Sequence, residues 1–480
     1  AGNRTTLTTE GHQLTFTHDE LGRETTRTLD AASADLAPVT LTHTWDPLGR
    51  LTEQALGAGD HTLRHRSHTY RADGHLTATT DHHTGDTTHY QLDTVGRPLT
   101  VTAENWSETY AYDTAGNQTH ADWPDRTPNR AARGNRTYVG TRIQHAGRIR
   151  YTHDAAGRTT VRRKTRLSRK PDIWRYTYNA EDQLTTCTTP DGTLWTYTYD
   201  PLGRRTAKHQ WPQDRTTTVS STLFTWDGTR LAEQTDTTTG VTLTWDHQGH
   251  RPLTQLERKP RTQSEYDSRF FAIITDLVGT PTELIDHTGH IAAYARTTLW
   301  GTTTWNRDAT AHTPLRFPGQ YADPETALHY NHHRHYDPLG LAPCEIFYRM
   351  MSLKEFEQLG PNGEITVKGT ENFVTQEKDY IDTLLYNTRK MKGRKGEQYQ
   401  VLVRYEMTHG TREALLAAGR GSGKNRDTVL ERHGIELDEL NGSKDHIHVK
   451  QERFGLNFGL RPGSADIFNE RIGGVTYEML

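Results

Sequence analysis

Three pieces follow one another along the C-terminal part of the chain: Arg349 beside Tyr348, the run Phe373-Val374-Thr375-Gln376, and Glu452 at the end of IHVKQE. A guanidinium is a planar fork of donors that grips a phosphate or a sugar hydroxyl. A threonine hydroxyl backed by a helix N-terminus steadies an anion. A carboxylate stabilises developing positive charge and deprotonates an incoming nucleophile. A second constellation overlaps the first. His446, His448 and Glu452 fall at even spacing, so on a strand they share one face. Two imidazoles there could serve as acid and base on a phosphodiester, with Lys444 and Lys450 holding phosphate. Each residue alone has a plainer use: an ion pair for the strand arginine, a helix cap for Thr375, a solvated position for Glu452. Their order and combination carry the chemical reading.

The elements that must position these side chains form an α+β unit over residues 342–480. EIFYRMM (345–351) and YQVLVRYEM (399–407) alternate as strands. SLKEFEQLG opens on Ser352 with Glu355 three residues on, a capping box, and stops at Gly360. Thr375 is the expected N-cap of a helix that carries Tyr380, Ile381, Leu384 and Leu385. TREALLAAGR reads as a short helix and DHIHVKQERFGLNFGL (445–460) as strand, turn, strand. GRGSGKN (419–425) has the composition of a phosphate loop without the Walker spacing, and reads as a flexible basic loop.

Composition places a seam just ahead of this unit. All 5 methionines follow Leu341 and all 10 tryptophans precede it, which a single domain would not produce. The chain is therefore a long carrier followed by a short passenger. Over 480 residues, 32% are hydrophobic, and mean hydropathy is -0.87. Such polarity suggests disorder, but aromatics at 9% and a net charge of only -3 point instead to Thr- and Tyr-rich pleated sheet. Cys187 and Cys344 are too few for a disulfide framework and have no zinc spacing. No apolar run reaches the length of a membrane span. The N-terminus lacks a signal pattern and opens mid-repeat, which implies a longer parent protein. The near balance of charge in the passenger argues against a DNA-binding surface.

The carrier is repetitive. HDELGR (18–23), WDPLGR (45–50), LDTVGR (92–97), YDTAGN (112–117), HDAAGR (153–158) and YDPLGR (199–204) share an aromatic or similar residue, Asp, two variable residues, Gly and usually Arg. With looser copies at Tyr70, Tyr178, Trp226 and Trp245, most recur every roughly 19 to 27 residues, a repeat-architecture period. Asp caps the turn through its own side chain and Gly supplies the positive φ. Alternating runs such as TYTYD and RLTEQ flank the turns, so each unit is a β-hairpin that buries its face only by stacking on its neighbours.

These units resemble the YD repeats of Rhs proteins, teneurins and the C subunits of insecticidal toxin complexes. The resemblance implies a hollow spiral shell of β-hairpins over residues 1–255. TDLVGTPTELID (275–286), the Trp300-Gly301 pair and RFPGQYADPETALHYNHHRHYDPLGL (316–341) resemble the Rhs-associated core, assigned to 256–341. In that family DPxGL marks an aspartyl-type self-cleavage, which implies Asp337 and Asp323 as the carboxylate pair and Leu341-Ala342 as the scissile bond. The chain departs from the family where YDP runs straight into LGL, without the usual stretch between.

The passenger's FYRMMSLKEFEQL, ENFVTQEKDYI and VKQERFGLNFGLRPGSADIFNERI resemble the three motifs of bacterial toxin ADP-ribosyltransferases, including Rhs-linked members that modify elongation factor Tu. The resemblance implies NAD as substrate. Arg349, Thr375 and Glu452 are then catalytic, and Tyr348, Arg349, Phe373, Thr375, Gln376 and Tyr380 bind NAD, with an aromatic stacked on the nicotinamide. Glycosidic cleavage through an oxocarbenium-like state explains the carboxylate. Lys450 stands where the family often has Gln or Glu, which makes Glu470 a rival to Glu452. The expected whole is mainly β: a shell with its core, then a small α+β transferase at 342–480. It would be a secreted or delivered toxin acting in the cytoplasm of a competing cell, first on elongation factor Tu and second on ribosomal RNA. Its expected partners are a delivery machine and a cognate immunity protein. The alternatives are a metal-independent RNase using His446, His448 and Glu452, and a non-enzymatic surface-binding module.

Overall fold

The structure is a computed structural model. It describes all residues except 1–2, 31–35, 95, 114–115, 141, 213–216, 263–264, 333, 340–344, 360–363, 368–371, 377–400, 408–414, 417, 422–446, 453–454, 470–471 and 480.

Each repeat builds its turn from its own residues. At WDPLGR, the Asp46 amide donates to the Arg50 carbonyl at 2.9 Å and the Gly49 amide to the Asp46 carbonyl at 3.0 Å. Asp46 accepts from the Arg50 amide on Oδ1 at 2.8 Å and from Arg50 Nε on Oδ2 at 2.6 Å. Gly49 sits at φ 78°, where a side chain would be strained. The same Asp–Arg pair recurs at Asp19–Arg23, Asp93–Arg97, Asp154–Arg158 and Asp200–Arg204.

The recurring letters of the repeat also stitch one unit to the next. The motif arginine donates forward to the following turn: Arg23 to the Asp46 carbonyl, Arg158 to that of Asn179, Arg204 to that of Gly228. The following aromatic donates backward: Trp45 Nε1 to the Glu24 carbonyl, Tyr178 to Thr159, Trp226 Nε1 to Arg205. Arg23, Arg50 and Arg158 also lie over the ring of the following aromatic, with Arg50 4.9 Å from Tyr70 and Arg158 5.2 Å from Tyr178.

Among the described residues, the carrier strands form a 27-stranded antiparallel sheet. Every strand pairs with its successor in the chain, from Thr6–Thr9 with His12–His18 to Ile291–Thr297 with Thr303–Trp305. The meander therefore continues past residue 255. The reason is a further turn of the same design, in which Asp276 accepts from the Thr280 amide at 2.8 Å and Gly279 stands at φ 98°. The ribbon comes round on itself. Leu14, Phe16, Leu41 and Leu56 share one buried cluster with Leu253, Phe270 and Ile274. Gln54 donates to the Thr275 carbonyl at 3.2 Å and Thr9 to Asp246 at 2.7 Å across this closure.

A separate three-stranded sheet, Tyr321–Asp323, Leu328–Asn331 and Arg334–Tyr336, packs on the inward face. Tyr321 joins Phe224, Trp245 and Phe271, while Leu339 joins Tyr110, Ile149 and Tyr151.

Among the described residues, the passenger's strands form one seven-stranded sheet. Its spatial order is Gly419–Gly421, Ile447–Glu452, Gly455–Leu460, Asn372–Thr375, Glu345–Met351, Val401–Met407 and Ile472–Met479. Helix Leu353–Phe356 carries the expected capping box of Ser352 and Glu355. Thr375 ends the strand Asn372–Thr375, an extended conformation that a helix cap also takes. A strand end followed by polar residues and a helix start look alike in sequence. The helix expected after Thr375, and most of TREALLAAGR, fall outside the described residues. Gly419–Gly421 is a strand paired parallel to Ile447–Glu452, where a flexible loop was expected. The final strand and the short helix Asp466–Asn469 carried no clear sequence signal.

Candidate functional site

Two places hold the sequence-predicted residues. The first is the seam. Asp337 is buried, and its Oδ1 accepts from the Leu339 amide at 3.0 Å while the Tyr151 hydroxyl donates to Oδ2 at 3.3 Å. Burial pushes its carboxyl above the usual range, against the opposing pull of Arg162 and Arg136. Arg136 also donates to the Leu339 carbonyl, and Thr302 to that of Pro338 at 3.0 Å. The seam is thus gripped from inside the shell up to Leu339. Leu341 and Ala342 lie outside the described residues.

Asp323 has a different set of partners. Arg205 meets it with two nitrogens, at 2.5 and 3.1 Å, and Lys208 bridges it to Glu325 at 3.1 and 3.2 Å. Burial works against ionisation there, yet Arg205 and Lys208 prevail and hold Asp323 at about 2. Burial and the neighbouring Asp323 push Glu325 up. The close carboxylate pair in the structure is therefore Asp323 with Glu325, around Lys208. Asp337 belongs to the Tyr151 cluster. Arg136, Arg162, Arg205, Lys208 and Tyr151 escaped the sequence reading. Their signal was a cation or tyrosine recurring at the inward phase of a strand.

The second place is the passenger sheet. Pairing aligns Tyr348 with Thr375, Thr375 with Asn457, and Asn457 with Lys450, so these four positions share one face. Phe373 and His448 belong to that face, and position 452 continues the phase of 448 and 450. The other face carries the core: Met351, Val374, Val403, Tyr405, Val449 and Phe458. Pleat alternation puts Arg349 on this core side, opposite Val403. It is buried there, donating to the Phe373 carbonyl at 3.0 Å and to Glu355 at 3.0 Å. Its guanidinium thus ties the first motif strand to the second and holds the capping-box helix.

On the shared face, Lys450 Nζ sits 4.1 Å from the centre of the Phe373 ring. His448 is buried, with Arg461 Nη2 2.9 Å from its Nδ1. Thr375 and Asn457 are buried polar residues at the centre. Gln376 is half-buried at the bend that follows. Tyr380, His446, Lys444 and Glu470 lie outside the described residues, and Glu452 is placed through its backbone pairing with Gly455. Among the described residues no cluster of His, Cys, Asp and Glu could hold a metal ion, and no helix is long and apolar enough to cross a membrane.

Known proteins resemble the chain in two parts. The teneurin YD-shell family model matches residues 5–341, and the PT3 toxin domain model matches 343–479. The "Probable deoxyribonuclease RhsA" of Dickeya dadantii is 29% identical over 348 residues, covering 69% of this chain and 22% of its own. The "Double-stranded DNA deaminase toxin A" of Burkholderia cenocepacia is 34% identical over 253 residues, covering 48% of this chain and 17% of its own. Among solved structures, the TcdB2-TccC3-Cdc42 complex aligns with a TM-score of 0.37 at 15% identity, over 69% of this chain and 20% of that one. The chain spans about a fifth of the length of these curated relatives. Its carrier and passenger are those of an Rhs-type polymorphic toxin. With a family model matched across most of its length, the chain belongs to the teneurin YD-shell family.

Proposed function

We propose that the passenger transfers ADP-ribose from NAD to a translation component of a competing cell, with elongation factor Tu first and ribosomal RNA second. The observation that carries this is the neighbourhood of the three motif strands. Glu345–Met351, Asn372–Thr375 and the hairpin of Gly455–Leu460 with Ile447–Glu452 are successive in one sheet. They bring Tyr348, Thr375, Asn457, Lys450 and position 452 onto one face. That face offers an aromatic ring, a hydroxyl and a cation, the donor set a dinucleotide needs. Phe373 is the platform for the nicotinamide once Lys450 swings from its ring to the pyrophosphate. Thr375 and Asn457 orient the ribose. Glu452 stabilises the oxocarbenium-like state and takes the nucleophile's proton. Arg349 acts through the backbone of Phe373 as a positioning residue.

At the seam, the raised carboxyl of Asp337 is suited to donate a proton in self-cleavage after Leu341, whereas Asp323 is taken up by Arg205 and Lys208. Delivery by a secretion machine and an immunity protein in the producing cell accompany this reading; a relative named "Toxin protein Tse5" supports it. A second reading, a nuclease using His446, His448 and Glu452, draws support from the relatives named as deoxyribonucleases. The engagement of buried His448 by Arg461 weighs against it. Incubation of the protein with NAD tests the first reading: release of nicotinamide that Thr375→Ala reduces at least tenfold supports it, and none from the wild type contradicts it.

A further inference from the structure

A cavity of about 510 Å³ opens on the carrier, and no residue of the seam's carboxylate clusters or of the passenger sheet lines it. Five cations line it: Arg130, Arg148, Lys164, Arg166 and Arg169. Its frame is built from three backbone segments tied to one another. Asn129, at φ 65°, starts the short 3-10 turn Arg130–Ala132. The Arg148 amide donates to the Ala131 carbonyl at 2.7 Å, and the Thr165 amide to the Arg148 carbonyl at 3.0 Å. Gly147 makes that approach possible, because a Cβ there would lie 2.2 Å from the Arg133 carbonyl oxygen and 2.6 Å from that of Ala131. Arginine and lysine arms thus stand on a fixed floor.

Two carboxylates face these five cations, and only Asp172 makes a close ion pair, with Arg166. Asp172 accepts from Arg166 Nε at 2.8 Å, and Asp125 lies 3.9 Å from Arg130 with both side chains largely exposed. Lys164 is held below its ordinary range by burial and then by Arg166, with Arg162 and Arg148 adding to the effect against Asp172. Like charges crowded to this degree are relieved by an anion. Thr165 and Ser168 add hydroxyl donors to the wall. The lining contains no aromatic ring, so it offers nothing on which nucleic-acid bases would stack. Its volume is that of a small-molecule site.

We propose that this cavity binds a small, multiply charged oligophosphate. Ala131 belongs both to its wall and to the cluster that buries Leu339, so the ligand would brace the shell where the passenger begins. The test is calorimetric titration of the whole chain with inorganic tripolyphosphate at about 150 mM salt, where surface attraction is screened beyond about 8 Å. One ligand per chain is expected, weakened at least tenfold by Arg148→Gln with Lys164→Gln. Arg163→Gln, on the opposite face of the same strand, should leave binding unchanged. If the double variant fails to fold, the exposed Arg169→Gln carries the test with an expected loss of about threefold. No binding by the wild type, or equal binding by all variants, overturns the proposal. So does a single-stranded oligonucleotide that binds more tightly than tripolyphosphate and loses affinity in the same variants.

Discussion

Carrier and passenger are both antiparallel sheets in the main, but they are assembled from different distances along the chain. In the carrier each strand pairs with the next, and the motif turns at Asp19, Asp46, Asp93, Asp154 and Asp200 close on an Arg four residues on. In the passenger, Asn372–Thr375 pairs with Gly455–Leu460, and Val401–Met407 lies between Glu345–Met351 and Ile472–Met479. The carrier can form unit by unit, with stability built from neighbour contacts. The passenger gains its sheet only when distant segments meet. Buried charge follows the same division. The carrier locks its inner sheet with Arg205, Lys208, Asp323 and Glu325, whereas the passenger uses Arg349 to join two strands.

The contrast can be broken most severely at the carrier's buried charges. Arg205→Met should cost the shell about 3–5 kcal/mol, because it strands buried Asp323 without its main counter-charge. Urea unfolding measures it, and Asp323→Leu in the same background should restore much of the loss. Next is Arg349→Ala, which should destabilise the passenger by about 1–3 kcal/mol by orphaning the Phe373 carbonyl. Hydrogen exchange should localise that effect to Glu345–Met351 and Asn372–Thr375, leaving carrier strands as they were.

Acid should act on the carrier's turns. Asp19 and Asp46 are held below the ordinary carboxylate range, first by the backbone amides of Arg23 and Arg50. Asp73 is held at about 2 by the Arg71 side chain. A folded pKa below the unfolded value of about 3.9 gives stability that is present above that value and lost as pH falls through the folded one. Melting temperature should therefore drop between about pH 4 and pH 2. The smallest effect is expected for one rim arginine. Arg50→Ala should cost about 1 kcal/mol or less, as for a solvent-exposed pair, and a melting curve that shifts far more would show that neighbouring turns act as one cooperative unit.

How much was legible in the sequence follows from these distances. The Asp–Gly–Arg turn closes within its own few residues, so spacing alone revealed it. The seam showed in composition, and the capping box at Ser352 and Glu355 is local as well. The partnership of Arg205 with Asp323 spans 118 residues, and no local pattern announces it. In the passenger, the motif order placed Tyr348, Thr375 and position 452 on neighbouring strands, but it could not tell which face each side chain takes. Arg349 and Tyr348 are adjacent, so the pleat sends them to opposite sides, and only cross-strand register decides which one meets Thr375.

ADP-ribosyl transfer on the shared face of the passenger, as proposed, has a direct test. The most direct measurement incubates the whole chain with labelled NAD and a bacterial lysate, wild type beside Glu452→Gln. Label on one protein or RNA band, reduced about 100-fold or more in the variant as expected for loss of a charge-stabilising catalytic group, is the predicted result. No transfer, with tRNA or ribosomal RNA cleaved instead, would contradict it.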